Sequence, residues 1–403
     1  MQLLYRSKYK RDIYNVFWIC NWKALGSMEN RKIYITILKI IKIVLKYKFM
    51  NTYIIRWYML KYKLVFFYAV LCCLALVVSL FFLNKLDKNV EIYNETNKKE
   101  EEIEKTKEYI TNLSVKKIRV KITSTGEIKE MDINDYLIGV VPSEMPPSHE
   151  IEALKAQAIV ARTYAYEKMS RNPHSDCDIC DNASHCQAYY DIDRIIQVWK
   201  NRGFSDELRA EYLEKVKNAV YSTENIVVTY SGNLIKAYFH ANSGGKTEDV
   251  SAIWGKQNIP YLVAVESKGE EAHQFYKSEV DLTISQLEEK LTAKTSKPCR
   301  AGNLTDNLVK VLSYTKSGRV DLVDIAGNIY TANELRTALG LKSTNFTVKY
   351  EEGKIKFNVT GYGHGIGMSQ TGANFYAKSG MDAEGIIKHY YTGVELAYLK
   401  TKE

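Results

Sequence analysis

Three cysteines and two histidines lie within residues 173–187, PHSDCDICDNASHCQ, of a chain that has seven residues of each type. Imidazole nitrogens and thiolates are ligands that zinc prefers, and a tetrahedral zinc site needs four of them. The predicted ligands are His174, Cys180, His185 and Cys186. Because four protein ligands leave no open coordination position, we expect a structural zinc ion that braces this loop rather than a catalytic one.

Because Cys177 is a fifth possible ligand, the sequence does not define the four zinc ligands uniquely. It forms a Cys-x-x-Cys pair with Cys180, a spacing common in zinc knuckles, so an alternative site replaces one histidine by Cys177. A disulfide is the other interpretation. Residues 64–83 have the length and composition of a membrane-spanning helix, which would place this later segment outside the membrane, where cysteines can oxidise. A disulfide would leave one of the three cysteines unpaired and would give the histidines no role, so the pattern favours a metal.

Glu144 is the residue whose position suits acid chemistry. It lies between an apolar turn and the Pro146-Pro147 pair, and it is therefore predicted to occupy a loop immediately before a long apolar helix. Burial beside apolar residues raises the pKa of a carboxyl group, and a carboxylic acid that keeps its proton can protonate a leaving oxygen. On spacing alone, an ordinary surface glutamate is the competing interpretation.

The elements around these residues follow from hydrophobic periodicity. Alternation on both sides of Thr125-Gly126 predicts a β-hairpin, and DYLIGVV predicts a short helix. Residues 151–169 carry small and apolar residues at helical spacing, which predicts a buried central helix. Further helices are predicted over 206–220, 285–291 and 382–390, strands over 225–230 and 234–240, and a strand-turn-strand unit over 309–325. Strands and helices mix without regular alternation, so the predicted class is α+β.

Residues 64–83, LVFFYAVLCCLALVVSLFFL, have the length that a bilayer core requires of a helix and contain no charged residue. Arg56, Lys61 and Lys63 precede this segment, and acidic residues follow it among mixed charges, so the positive-inside bias places the N-terminus in the cytoplasm. We therefore predict a single-pass protein of the cell membrane whose C-terminal part is extracytoplasmic. A cleaved signal peptide would have a shorter apolar core and a small-residue cleavage site.

Positive charge is concentrated before this segment. Residues 1–63 hold 14 Lys or Arg against Asp12 and Glu29, a surplus of 12, so the overall charge of +9 leaves −3 for the remaining residues. A nucleic-acid-binding domain keeps its positive surplus in the folded part, so this distribution argues against nucleic acid as a partner. Two interpretations of residues 1–63 stay open. Residues 33–47 are predicted to form a helix on the inner membrane surface, or residues 1–63 are an upstream extension of the reading frame.

The predicted domain organisation has six parts. They are a basic leader (1–63), a transmembrane helix (64–83), a polar stalk (84–113), a first catalytic part that contains the zinc loop (114–278), a smaller β-rich module (279–350) and a return to the catalytic domain (351–403).

Several motifs resemble, in the same order, the stage II sporulation protein D family, which also contains the amidase enhancers. They are VVPSEMPPSHEIEALKAQAIVARTYA, HANSGGKTEDVSAIWG, PYLVAV, SGRV, LRTALGL and GYGHGIGMSQTGA. The resemblance implies a lytic transglycosylase that cuts the glycan strands of peptidoglycan during engulfment of the forespore. It also implies stage II sporulation proteins P and M as partners, and a zinc ion at the Cys/His segment as in clostridial members.

Residue roles are carried over by motif position. Glu144, in the triplet SEM, corresponds to the catalytic acid, and Lys155 and Arg162 correspond to basic residues on which activity depends. Seven residues separate Lys155 from Arg162, which places both on one helical face. Two cations there can hold a muramyl carboxylate or orient Glu144, although a set of helix ion pairs is the alternative.

Glycine-rich loops contain three further candidates. We expect Ser243, His364 and Gln370 to line the sugar groove, where each can form hydrogen bonds with hydroxyl or acetamido groups. A structural role is the alternative for each of them.

A single catalytic carboxylate suits this reaction. The 6-hydroxyl of N-acetylmuramic acid attacks C1 of its own ring, so no second acid is needed, and the product is a 1,6-anhydro sugar. A noncatalytic peptidoglycan-binding activator of a partner amidase is the second hypothesis. A zinc hydrolase is disfavoured, because no HExxH motif accompanies the Cys/His segment.

Overall fold

The computed structural model describes residues 117–255, 258–295, 297, 299–300 and 308–399, together with residues 28, 32–33, 35–40 and 74. The chain divides into two units, Met1–Glu95 and Thr96–Glu403. In the first unit, residues 32–33 and 35–40 are helical. Over the described ranges, no helix combines the length and apolar character needed to cross a membrane. The predicted transmembrane segment 64–83, apart from Leu74, and the stalk 84–113 lie outside the described residues.

The second unit mixes helices and strands in several small sheets, which agrees with the predicted α+β class. The strands are β1 (Lys117–Lys121), β2 (Ile128–Asp132), β3 (Ile179–Cys180), β4 (Ile226–Tyr230), β5 (Asn233–Leu234), β6 (Phe239–His240), β7 (Lys277–Leu282), β8 (Val309–Tyr314), β9 (Val320–Ile325), β10 (Asn328–Thr331), β11 (Phe346–Glu351), β12 (Lys354–Thr360), β13 (Met368–Ser369) and β14 (Glu395–Tyr398). The α-helices are α1 (Ile133–Glu144), α2 (Ile151–Arg171), α3 (Ile192–Asn201), α4 (Asp206–Tyr221), α5 (Val250–Trp254), α6 (Ile284–Lys294), α7 (Ala332–Leu339), α8 (Gln370–Lys378) and α9 (Ala383–Tyr390). A 3-10 turn covers Glu270–Ala272.

The predicted hairpin is present as β1 and β2, which pair antiparallel from Lys117↔Asp132 to Lys121↔Ile128. The other edge of β1 pairs in parallel with β3. Because β3 contains Cys180, this pairing fixes part of the Cys/His segment to the sheet. The stretch predicted as one strand over 234–240 is instead divided, since β5 pairs with β4 whereas β6 pairs with β13.

Helix α2 is the centre of the main hydrophobic core, as predicted, and α1, α4, α8 and α9 pack around it. Its buried residues include alanines at positions 153, 156, 158, 161 and 165. Small side chains let neighbouring helices approach closely, and they lose little conformational entropy on burial. The helix ends at Asn172, which adopts a left-handed conformation with φ 46°. The chain then turns directly into the Cys/His segment.

A second hydrophobic cluster contains buried residues from Leu282 to Val359. It fills the space between α6, α7 and the sheets β10-β9-β8 and β11-β12-β7. The chain enters this region on β7 and leaves it on β12, and these two strands pair antiparallel with Lys277 opposite Thr360. The separate cluster supports a distinct module near the predicted range 279–350, while the domain boundaries remain a prediction.

Candidate active site and metal cluster

A groove of about 730 Å³ opens beside the end of α1. Its lining includes the last turns of α1 and α2 together with residues 183–186, 238–241, 362–364 and 370–371. The groove therefore brings together three regions that the sequence analysis singled out: the SEM triplet, the Cys/His segment and the glycine-rich loop that contains His364.

Glu144 lies in the wall of this groove as the last residue of α1, rather than in a loop as the sequence predicted. The helix continues through Pro142 and closes when the N–H of Met145 donates to Val141. The carboxyl Oε1 accepts a hydrogen bond from the backbone N–H of Ala188 at 2.7 Å. Burial raises the pKa of Glu144 from 4.5 to about 7, although hydrogen bonds from Ala188 and Gln370 oppose the shift. Near neutral pH this group can both donate and accept a proton.

The segment that follows the Cys/His cluster is packed onto α1. The Tyr189 ring stacks on Tyr136, with centroids 5.4 Å apart and planes at 20°. Gly139 lies under the same ring, and a Cβ at this position would stand 2.5 Å from both the Tyr189 ring and the Tyr190 carbonyl oxygen. The side-chain amide of Gln187 donates to the hydroxyl of Tyr136 at 3.1 Å. These contacts fix Ala188 against the helix that ends in Glu144.

The structure places the two predicted cations, Lys155 and Arg162, outside the described groove lining. Arg162 is 1% exposed, and its guanidinium donates to the carbonyl oxygens of Val220, Thr223 and Ile226. These hydrogen bonds connect α2 to the backbone of the segment where α4 ends and β4 begins. Lys155 forms an ion pair with Glu152 at 2.8 Å. Both cations have structural partners, and neither belongs to the groove lining.

Of the three candidates in the glycine-rich loops, Gln370 and His364 line the groove and Ser243 does not. Ser243 is 1% exposed and lies outside the groove lining, because its hydroxyl and backbone N–H both donate to the carboxylate of Glu270, at 2.7 and 2.9 Å. Gln370 does line the groove, and its amide is a hydrogen-bond partner of Glu144. It also donates to Gln157 at 3.4 Å.

His364 lines the groove and forms hydrogen bonds with the backbone. Its Nδ1 accepts the N–H of Ile366 at 3.0 Å, and the backbone at Phe239 provides a second hydrogen bond. Burial and the nearby Arg336 and Arg319 guanidinium groups lower the pKa of His364 to about 3. The ring is therefore neutral and can form part of the wall, while its role in binding a sugar remains a prediction.

An aromatic wall next to His364 was missed at the sequence level. The rings of Tyr238 and Trp254 are 4.7 Å apart, and Trp254 lies 5.3 Å from His364. All three side chains line the groove, and 37% of Trp254 is exposed. Aromatic faces give sugars an apolar surface to stack on. No periodicity marks Trp254, since its position depends on short helix α5 and on the distant loop at 363–364.

The four predicted metal ligands converge. Cys186 Sγ lies 3.4 Å from His174 Nε2 and 3.3 Å from His185 Nδ1, and Cys180 Sγ lies 3.6 Å from His185 Nδ1. All four ligand atoms lie within 4.8 Å of one another. A tetrahedral zinc ion with Zn–S and Zn–N bonds of about 2.3 and 2.0 Å separates its nitrogen and sulfur ligands by about 3.5 Å. The donor set and its spacing therefore fit such an ion.

Cys177 groups instead with His174 and Asp176, so the four-residue set does not need it. Cys177, Cys180 and Cys186 are free cysteines in the structure. His185 and Cys186 also line the groove, and the Cys186 carbonyl accepts a hydrogen bond from Tyr164 at 3.1 Å. The cluster is therefore joined to the wall that contains Glu144.

Comparisons with known proteins identify relatives of this chain. A family profile described as "Stage II sporulation protein" matches residues 121–230, and a domain of unknown function matches residues 206–367. Stage II sporulation protein D of Bacillus subtilis (strain 168) is 33% identical over 283 residues, which cover 70% of this chain and 78% of that protein. The Bacillus amyloliquefaciens protein of the same name is also 33% identical, over 278 residues that cover 68% and 77%.

A more distant relative is the amidase enhancer of Bacillus subtilis (strain 168). It is 28% identical over 310 residues, which cover 64% of this chain and 40% of that protein. The identity and coverage of the sporulation proteins carry the assignment: the chain belongs to the stage II sporulation protein D family.

Proposed function

We propose that this protein is a lytic transglycosylase that cleaves the glycan strands of peptidoglycan and forms 1,6-anhydro-N-acetylmuramic acid. One observation carries the proposal. Of the residues that the structure describes, Glu144 alone contributes a carboxylic acid to the groove lining, and the pKa of this acid is raised to about 7. Hydrolysis of a glycosidic bond by two carboxylates requires a partner acid that this groove lacks over its described lining, whereas intramolecular attack does not.

In the proposed mechanism, protonated Glu144 donates its proton to the glycosidic oxygen and the bond to C1 of the muramyl ring breaks. The 6-hydroxyl of the same ring forms the new bond to C1. The Glu144 carboxylate then takes the hydroxyl proton, which restores the acid. The hydrogen bond from Ala188 stabilises the carboxylate stage, and the tethered hydroxyl provides the rate advantage of an intramolecular nucleophile.

A zinc ion held by His174, Cys180, His185 and Cys186 would have a structural role, since all four coordination positions are taken by protein. The ion would fix residues 185–186 in the groove wall. No step of the reaction uses it.

The names of the relatives support a role in sporulation, at the cell wall. We place the protein in engulfment of the forespore, with stage II sporulation proteins P and M as partners. Segment 64–83 would anchor it in the cell membrane with a cytoplasmic N-terminus, so that the groove meets peptidoglycan on the extracytoplasmic side. Nucleic acid is not a proposed partner.

A noncatalytic peptidoglycan-binding activator of a partner amidase is the second candidate, favoured by the similarity to the amidase enhancer. Digestion of purified glycan strands by the full-length protein separates the two. Mass spectrometry should detect 1,6-anhydro ends with the wild type and none with Glu144→Gln, while both proteins bind the strands. Binding without anhydro product in the wild type, together with stimulation of an amidase, would instead support the activator.

A further inference from the structure

Two positively charged residues line the groove in places that the sequence analysis did not single out. Lys168 lies in the last turn of α2, and Arg202 follows the end of α3. They replace Lys155 and Arg162, which the structure places elsewhere, as the cations that a bound substrate would meet.

Four of the histidines that line the groove have lowered pKa values and are neutral at physiological pH. Burial lowers the pKa of His364 to about 3 and the pKa of His149 to about 4. The pKa values of His240 and His273 are lowered by burial as well. Lys168 and Arg202 are the lysine and arginine side chains of the described lining, and Glu144 is its one carboxylic acid. The groove is electropositive and attracts anions.

The side chains of Lys168 and Arg202 both have N–H groups that can donate hydrogen bonds to a ligand. The ammonium group of Lys168 donates once, to the carbonyl oxygen of His185 at 3.2 Å, and it lies 5.5 Å from the Tyr164 ring centroid. That contact holds the group at the groove wall and leaves two N–H donors. In the described part of the chain, the exposed guanidinium of Arg202 has no hydrogen-bond or ion-pair partner. A guanidinium group suits bidentate binding of a carboxylate.

We propose that Lys168 and Arg202 form a subsite that binds a carboxylate of the glycan substrate, namely the lactyl carboxylate of a muramyl residue. This inference rests on the proposed function, because it names the chemical group by which the same groove would recognise its substrate. Strands of N-acetylglucosamine alone have equal ring dimensions and acetamido groups but no carboxylate. The subsite therefore selects muramyl-containing strands over chitin-like strands.

The test compares ligands of equal length. The full-length Glu144→Gln protein, which keeps its ligand intact, is titrated with a peptide-free GlcNAc-MurNAc tetrasaccharide and with chitotetraose at low salt. We expect the muramyl ligand to bind about tenfold more tightly. Lys168→Gln and Arg202→Gln should each weaken muramyl binding about threefold to tenfold, because both cations are partly exposed, and should leave chitotetraose binding unchanged. Added salt should reduce the preference.

Lys200→Gln is the matched control, since it removes one positive charge from exposed α3 surface outside the groove lining. Lys200→Gln should keep the preference for the muramyl ligand over chitotetraose. Arg202→Lys should keep more of that preference than Arg202→Gln. The inference is overturned by equal binding of both ligands to the parent protein, or by a double variant at 168 and 202 that keeps the preference. A preference seen only for strands that carry stem peptides would assign the carboxylate to the peptide and also overturn it. Failure to bind either glycan would instead overturn the proposed function.

Discussion

The backbone N–H of Ala188 donates a 2.7 Å hydrogen bond to the carboxyl Oε1 of Glu144, and Ala188 follows the metal-ligand candidate Cys186 by two residues. One short segment therefore joins the Cys/His cluster to the proposed catalytic acid. A metal ion bound by the cluster would hold residues 185–186 close to the donor that stabilises the Glu144 carboxylate.

The first prediction concerns the ligand set. Purified protein should contain one zinc ion per chain, and Cys186→Ala should lose the ion together with most glycan cleavage. Cys177→Ser should keep the ion, because Cys177 lies outside the four-residue set. Metal analysis and thermal denaturation measure both effects. Zinc lost from the Cys177→Ser protein but retained by His174→Ala would show that Cys177 replaces a histidine.

The second prediction concerns the pH dependence of activity. Protonated Glu144 must donate first, and its pKa is raised to about 7 by burial. The value of kcat/KM should therefore fall as the pH rises through about 7. Initial rates of anhydro-sugar formation between pH 5 and 9 provide the measurement. A rate that stays constant from pH 6 to 9 would contradict the assignment of Glu144 as the acid.

The third prediction concerns stability. Because the pKa of Glu144 is about 7 in the folded protein and 4.5 when unfolded, the folded state holds the proton more tightly. Stability should therefore decrease as the pH rises from about 4.5 to 7, by up to about 3 kcal/mol. Glu144→Gln carries no charge to bury and should melt at a higher temperature than the wild type at pH 8. Glu150→Gln, at an exposed glutamate, is the control and should not show this gain.

The fourth prediction concerns Gly139. An alanine in a helix normally stabilises it by about 1 kcal/mol relative to glycine. Here the added Cβ would meet the Tyr189 ring and the Tyr190 carbonyl at 2.5 Å, so the sign should reverse. We expect Gly139→Ala to destabilise the protein by about 1–3 kcal/mol and to reduce activity, since the segment that holds Ala188 must shift. A rise in the melting temperature of this variant would refute the packing argument.

Local patterns explain which parts of the fold the sequence predicted. The hairpin around Gly126, helix α2 and the α+β class depend on periodicity and turn residues, which act over a few positions. The convergence of His174, Cys180, His185 and Cys186 was predictable as well, because donor types and spacing constrain a metal site strongly.

Long-range packing explains what the sequence could not predict. Whether Lys155 and Arg162 face the groove depends on which neighbours surround α2, and helical spacing only indicates that they share a face. The carbonyl groups that bind Arg162 come from residues 220–226, far along the chain. Trp254 and His364 meet only because α5 and the loop after β12 are brought together by the fold. Short motifs contain no information about these distances.

The fifth prediction separates a structural from a catalytic role for Arg162. Its guanidinium is buried and donates to the carbonyl oxygens of Val220, Thr223 and Ile226, so Arg162→Ala removes these hydrogen bonds together with a large buried side chain. We expect a loss of about 3 kcal/mol or more in the free energy of unfolding. Lys155→Gln, which breaks a partly exposed ion pair, should cost less than about 1 kcal/mol. Activity per folded molecule, measured below the melting temperature, should change little in either variant, because neither side chain touches the groove. A variant at position 162 that melts like the wild type but loses cleavage would restore the catalytic role that the sequence predicted.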